Sequence, residues 1–516
     1  MKNKIAILFI VIIAAVLYGL TLRGQAGNAL PSNEFNGSFD SNGNAKNAMA
    51  FELSPERGRF VHLVALGENH TFALNQQLAK IAYPDVGYYG NQYFSFFEPG
   101  IAYMALPFYL LGKTFNLSQV FSFGFISLVS ILALLFLYKI SRKILKLPIW
   151  ASVAAVLIFA FGSTAWSYAI TLYQHHVTVF LMLSGFYAVW KFNQSQKYGW
   201  LYAAYAGIAY ATSITIDSPN AILLMPVALY LIISAVRIVK EQRDLTRISL
   251  RIGALAGLIG FCLAISPLLY FNQYYLGSWH TLNGSLPNYQ ANSATTTAQI
   301  LPAYPDPDTA TEPPTKNIVG FFREQSIPRG FTVLLFSTDR GLFVFAPIFL
   351  LALLGIYYLF HQDIALESGI LLALLATNVL LYSSWGDPWG GWAYGPRYLI
   401  PSMSILSLFV AVALANNAKS LWFKALTFLL FAYSSAIALL GAITTNADPS
   451  KTEALVLGTG YNFMRNWDFL MDGHSGSFLY ITYFSKLVSL KEYFFIIYVF
   501  LLLLALFILA MESNES

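Results

Sequence analysis

About twelve apolar runs of 18–22 residues follow one another along the chain, and each is long enough to cross a ~30 Å hydrocarbon layer as a helix. They lie near 5–22, 118–138, 149–166, 172–190, 200–214, 219–236, 252–271, 343–360, 368–384, 398–415, 425–443 and 493–511. Only 11% of the 516 residues are charged and 57% are hydrophobic, whereas a soluble chain carries roughly 25% charged residues. Residues 1–516 therefore read as a single all-α polytopic membrane domain rather than a string of soluble ones. The first run is long and no small-residue cleavage site follows Leu22, so it is expected to stay as an anchor. The lone cysteine, Cys262, excludes an internal disulfide, and no basic block is dense enough to suggest nucleic acid.

Positive charge sets the direction. Lys2 and Lys4 precede the first run; Lys139, Arg142, Lys143 and Lys146 follow the second. Lys191 and Lys197 follow the fourth, Arg237 to Arg251 supply five more after the sixth, and Lys419 and Lys424 follow the tenth. All fall on one side if the count is right, and short basic loops stay in the cytoplasm. The expectation is a plasma (inner) membrane protein with both termini inside. The other face then holds the long segments near 23–117, 272–342, 385–397 and 444–492. Long irregular loops are uncommon unless they carry function, so any chemistry is expected outside.

Three clusters there carry candidates. In the first, Pro55 opens a helix-period stretch after Ser54, expected to be a short amphipathic helix at the interface with Glu56 in its first turn. Glu56 there is either a dipole-favoured surface acid or an acid held near the membrane surface for work. Asp85 after Pro84 reads equally as a turn residue. The apolar stretch 101–111 is too short to span and is expected at the interface. In the second cluster, Trp385-Gly386-Asp387-Pro388-Trp389-Gly390-Gly391-Trp392-Ala393-Tyr394-Gly395-Pro396-Arg397-Tyr398, the tryptophans suit an interfacial belt. Arg397 at the entrance of an apolar run suits either a snorkelling anchor or a bidentate phosphate contact. The third offers Asp339 and Arg340, a surface ion pair or a second phosphate contact. His175 and His176 are adjacent and point in different directions on a helix, so they read as a polar cap rather than a metal site. Asn36, Asn69 and Asn283 head outward glycosylation triplets, and the Thr-, Ala- and Pro-rich segment 291–316 is expected to cover an acceptor cleft.

The order of these clusters resembles the C-type integral-membrane glycosyltransferases, the superfamily of the dolichyl-phosphate-mannose protein mannosyltransferases and the bacterial lipid A aminoarabinose transferases. Glu56-Arg57-Gly58-Arg59-Phe60 is similar to that family's acid-acid-x-Arg-Tyr motif, with Arg57 in place of the second acid. Tyr88-Tyr89-Gly90-Asn91-Gln92-Tyr93-Phe94-Ser95 with Pro99-Gly100 resembles its Gly-x-x-Tyr-Tyr…Pro-Pro-Gly element. Glu98 replaces the first proline of that pair, and Phe97 replaces a lysine often found before it. The stretches 335–343 and 389–399 resemble two further motifs of prokaryotic members.

The resemblance implies a large first outer loop with interfacial helices and inverting transfer of a sugar from a polyprenyl-phosphate donor to a lipid, glycan or protein acceptor at the outer face. It implies Glu56 as general base, with Asp85 second. Arg397, Arg340 and Arg59 would meet the donor phosphate, and Glu68, Glu98, Tyr88, Tyr89, Trp389, Trp392 and Tyr394 the substrates. Some members use a divalent cation such as Mg or Mn and others do not, and no ligand set in the sequence decides between them. A lipid-linked oligosaccharide polymerase or ligase differs from this reading only in donor. A transporter or flippase predicts ionisable groups at mid-membrane depth, where the apolar runs hold almost none.

Overall fold

The computed structural model describes residues 2–30, 53–195, 197–240, 246–287, 327–361, 366–449 and 460–511. The segment 291–316 and the Asn36 triplet lie outside these residues.

The chain enters on α1 (Lys2–Thr21). The described part of the first long connection holds α2 (Ser54–Asn69), α3 (Gln76–Ala82), the hairpin β1 (Val86–Tyr89) and β2 (Gln92–Ser95), and α4 (Gly100–Thr114). Then come α5 (Ser118–Lys143), α6 (Ile149–Phe161), α7 (Ala165–Ala169), α8 (His175–Gln194), α9 (Gly199–Ile216), α10 (Asn220–Leu223) and α11 (Met225–Ala235). A second hairpin, β3 (Val236–Lys240) with β4 (Thr246–Leu250), leads to α12 (Leu255–Leu276). Beyond it lie α13 (Ile327–Phe336), α14 (Leu342–Phe345), α15 (Leu351–His361), α16 (Leu366–Ser383), α17 (Ile400–Asn416) and α18 (Leu421–Ile443). Helices Phe463–Met471 and Leu490–Ala510 follow.

Among the described residues, seven helices are long and apolar enough to cross a membrane: Lys2–Thr21, Ser118–Lys143, Ile252–Leu276, Leu366–Ser383, Arg397–Asn416, Leu421–Ile443 and Leu490–Ala510. The other five expected spans are helical but do not meet that standard. Gly162 ends α6 after 13 residues. The run 219–236 is divided at Leu224, just before Met225-Pro226, and the run 343–360 at Ala346-Pro347. Proline leaves the preceding turn short of a hydrogen bond. α8 and α9 are continuous but less apolar.

α17 runs through the middle and is buried from Ile400 to Leu414. Small residues bring neighbours close: a Cβ on Gly207 of α9 would lie 1.9 Å from the Gly257 carbonyl of α12, the close backbone approach that membrane helices favour.

The bundle has two chemically different ends. At one, the Asn3 side chain accepts from the Tyr138 hydroxyl at 2.9 Å and from Arg142 at 3.3 Å. Arg251 caps the end of α8 there, donating to the carbonyls of Phe192 at 2.6 Å and Ser195 at 3.3 Å. At the other end α1 stops beside α7, where the Trp166 indole donates to Thr21 at 3.0 Å. The first long connection packs against this second end, where Thr171 donates to Glu56 of α2.

α2 departs from the expected amphipathic interfacial helix, because every residue from Glu56 to Ala65 is buried. The helix is packed under α3 and α4 and against the end of the bundle, so it has no solvent face along that stretch. α4, at 15 residues, is too short to span, as expected of the stretch 101–111. The β1–β2 hairpin was not expected; Gly90 and Asn91 both take positive φ at its two-residue turn, the geometry that matches strand twist.

Candidate active site

The N-terminal ends of α8 and α17 and the C-terminal ends of α9 and α16 meet under α2, and their polar side chains face one another around Tyr173. Tyr173 is fully buried, with its ring stacked on His175 at 5.7 Å and edge-on to Tyr168 at 5.0 Å. Two guanidiniums lie over it, Arg397 at 5.5 Å and Arg59 at 5.9 Å from the ring centre.

Arg397 sits in the turn that opens α17. It donates to the Gly390 carbonyl at 2.6 Å and to the Tyr173 hydroxyl at 3.4 Å. Arg59 donates to the Pro55 carbonyl at 2.9 Å and covers the Phe97 ring at 4.3 Å. The Nε atoms of both are buried and have no hydrogen-bond partner. Arg57 is spent on structure: it ties α2 to the end of α3 through the carbonyls of Ile81 at 2.8 Å and Tyr83 at 2.9 Å.

Four carboxyl groups share this region. Glu56 is fully buried; Thr171 donates to its Oε1 at 2.6 Å and the Leu53 amide to its Oε2 at 3.2 Å. It supplies the acid half of a capping box, and Leu53 has no side-chain oxygen to return the bond. Asp85 is partly exposed and accepts from the Ser54 hydroxyl at 2.6 Å. Burial raises its pKa against the pull of Ser54, Arg397, Arg57 and Arg59. Glu98, just before α4, accepts from the Ser218 amide at 3.3 Å and from the Ser218 hydroxyl. Burial, reinforced by the neighbouring charge of Asp217, pushes Glu98 up to about 7. Asp217 caps the end of α9 and accepts from the Gln174 amide at 3.0 Å; burial raises it too, while Arg59 draws it down. Tyr382 at the end of α16 and Tyr398 in the turn before α17 are stacked at 4.3 Å beside Arg397.

Glu56, Asp85, Glu98, Arg59 and Arg397 are thus brought together from four separate stretches of sequence. Arg340, expected among the phosphate contacts, is fully buried and given over to main-chain carbonyls instead. Its donors reach Asp339 at 2.7 Å, Gly391 at 2.9 Å, and Trp389 and Asp448 at 3.0 Å. It braces the loop that carries Arg397. Glu68 lies at the far end of α2, bonded to the Tyr109 hydroxyl at 2.6 Å and Lys113 at 2.7 Å. Tyr88 bonds Asn91 at 3.2 Å inside the hairpin, and Tyr89 stands beside it on the same strand.

Trp389 packs under Arg329 at 5.3 Å, Trp392 lies against the main apolar core, and Tyr394 is wedged against α18 through the Ile437 carbonyl at 2.6 Å. Asn283, read as a glycosylation triplet, is buried, and its amide holds the Ser95 and Phe97 carbonyls, each at 3.2 Å. Asp217, Tyr173, Gln174 and Tyr382 were not singled out from sequence. An acid before Ser218-Pro219 between two apolar runs is the available signal for Asp217.

Among the described residues no three His, Cys, Asp or Glu side chains converge as a metal site. The Glu98–Asp217 pair is occupied by Ser218 and Gln174 and lacks a third ligand, so no step is assigned to a cation.

No protein-family model matches the chain, and no curated protein matches it. Among solved structures, it is similar to ArnT from Cupriavidus metallidurans bound to undecaprenyl phosphate, at 12% identity and TM-score 0.47, over 98% of this chain and 77% of that one. The apo state of the same protein gives 13% identity and TM-score 0.43, over 100% and 78%. The archaeal oligosaccharyltransferase AglB from Archaeoglobus fulgidus, in complex with an inhibitory peptide and a dolichol-phosphate, gives 12% identity and TM-score 0.43 over 87% of this chain. The present chain spans 57% of the length of that oligosaccharyltransferase.

Proposed function

We propose that the protein is a membrane-embedded glycosyltransferase that takes a sugar from a polyprenyl-phosphate donor and passes it to a hydroxyl-bearing acceptor at the extracytoplasmic face. The observation that carries this reading is the pair of guanidiniums, Arg397 and Arg59, over one buried tyrosine beside four carboxyl groups, at one end of an apolar bundle. A lipid phosphate leaving group needs positive charge where negative charge develops, and two fixed guanidiniums in a water-poor site supply it.

In the transfer, the acceptor oxygen attacks the anomeric carbon, the bond from that carbon to the phosphate oxygen breaks, and the acceptor proton passes to a carboxylate. Asp85 suits that role better than Glu56. Asp85 is partly exposed beside Arg397 and Arg59, whereas Glu56 is sealed in with both oxygens engaged. Glu56 fixes α2, and α2 fixes Arg59.

The test is sugar transfer or slow donor hydrolysis in proteoliposomes with a panel of polyprenyl-phosphate monosaccharides. A general base contributes roughly 10²–10⁴-fold, so Asp85→Asn is expected to lower kcat by that order while donor binding persists. Arg397→Ala is expected to weaken binding of the bare polyprenyl phosphate. Full activity of both variants would remove this assignment. Turnover only with oligosaccharide-diphosphate lipids would favour the polymerase or ligase reading.

A further inference from the structure

Resting on that reading, one wall of the site remains without a task. It is built where the N-terminal end of α8 meets the C-terminal end of α9. Gln174 and His175 are both more than nine-tenths buried, yet Gln174 Oε1 and His175 Nε2 have no hydrogen-bond partner. A buried polar atom left unpaired costs roughly 1–3 kcal/mol, and such atoms call for explanation by an absent partner. Gln174 uses its amide nitrogen to hold Asp217 Oδ2 at 3.0 Å, which fixes the direction of its free oxygen. Asp217 is itself partly exposed. Glu98 completes the wall and is held by Ser218. Arg59 feels the charges of Asp217, Glu98 and Arg397 together, so this wall adjoins the phosphate contacts.

We propose that Gln174, His175, Asp217 and Glu98 form the sugar subsite of the donor pocket, and that it selects a neutral sugar with free adjacent hydroxyls over an acidic one. The wall offers two acceptors, a carboxylate oxygen and an amide oxygen, beside an imidazole nitrogen that donates or accepts according to its tautomer. Sugar hydroxyls are donors and fill these vacancies, each taking one hydrogen bond. A uronic acid brings a carboxylate against Asp217 and Glu98 while Arg59 and Arg397 are engaged by the phosphate, and like charges at close range repel. Sites built to bond a substrate hydroxyl also discriminate strongly against analogues that lack it. Tyr173, stacked on His175, holds the imidazole in plane.

The experiment compares binding of three probes to the full-length protein in nanodiscs: bare polyprenyl phosphate, its mannosyl form and its glucuronosyl form. The mannosyl donor is expected to bind more tightly than the bare carrier, and the glucuronosyl donor no more tightly. In Asp217→Asn and in Gln174→Met, which keep side-chain volume, the gain due to mannose is expected to fall roughly tenfold, while bare-carrier affinity stays in Gln174→Met and is equal or higher in Asp217→Asn, which removes a negative charge beside Arg59. Asp217→Asn should also narrow the gap between the two sugars. Carrier binding no weaker than in the wild type is the control for folding, and Gln174→Met answers for the case in which Asp217→Asn does not fold. A mannose gain indifferent to both variants, or glucuronosyl donor bound as tightly as mannosyl, overturns the subsite while leaving the glycosyltransferase reading in place. Absence of carrier binding in the wild type removes both.

Discussion

At the scale of single residues, the site separates groups that hold structure from groups left for chemistry, and Glu98 offers a measurement of that separation. Its ordinary pKa near 4.5 is raised to about 7 in the folded protein, by burial first and the charge of Asp217 second. Between those two values the folded state binds more protons than the unfolded state, so stability falls as pH rises through the window and levels off above about 7. A gap of that size corresponds to at most ~3 kcal/mol, less where water reaches the carboxyl. Glu98→Gln removes the ionisation and keeps an acceptor for Ser218. The variant is expected to melt near wild type at pH 4.5 and above it at pH 8, by thermal unfolding in detergent. An equal difference at both pH values would show that Glu98 is not the group concerned. Among acids and cations, Glu56, Asp85 and Arg397 draw notice in the sequence because each stands beside a proline near an apolar run, whereas Arg59 and Glu98 enter only through the resemblance of their motifs. Which acid is sealed and which is open was not legible, since that depends on Thr171 and Ser54 arriving from other segments.

At the scale of elements, positions are set by close backbone contacts that composition does not reveal. Gly100 opens α4 where it meets the last turn of α9, and a Cβ there would lie 2.4 Å from the Thr215 carbonyl. Gly100→Ala must therefore push α4 away from α9, and with it Glu98 away from Ser218. Overpacking of this kind costs typically 1–3 kcal/mol, so a lower melting temperature and reduced donor turnover are expected together. Gly124→Ala in α5, where nothing lies within 4 Å of the added atom, is the matched control and should be neutral or slightly stabilising. If Gly100→Ala matched that control, the α4–α9 contact would not be what places Glu98. The same dependence on distant partners explains Arg340. Its neighbour Asp339 suggested a surface pair, yet its guanidinium is taken by carbonyls from residues 389, 391 and 448 as well as by its own neighbour's. The helical periods along the chain were readable from hydropathy alone. The breaks at Gly162 and before Pro226 and Pro347 had their signals in the sequence, and a sliding window averages over such signals.

At the scale of the whole molecule, the division between a basic end and the end that holds the carboxyl cluster makes a claim about orientation that labelling can decide. Lys143 is exposed at the end of α5 beside Arg142 and Asn3, whereas Gln92 is exposed in the hairpin whose neighbour Asp85 feels Arg397. Short loops rich in lysine and arginine stay in the cytoplasm, so the first position is assigned inside and the second outside. The chain has one cysteine, Cys262, which is exposed, and Cys262→Ser gives a background without reactive thiols. In that background Gln92→Cys is expected to react with a membrane-impermeant maleimide in intact cells, and Lys143→Cys only after permeabilisation. The reverse pattern would place the carboxyl cluster in the cytoplasm and remove the argument for an extracytoplasmic donor. Labelling of both in intact cells would mean that the ends are not separated by a membrane, against the seven helices long and apolar enough to cross one. The expected pattern also bears on the count of spans. α1 and the last helix, Leu490–Ala510, both belong to the seven, and termini on one side require an even number of crossings. Among the described helices, termini on the cytoplasmic side, as the charge distribution predicts, would therefore require one of α6, α8, α9, α10 with α11, or α15 to complete a crossing.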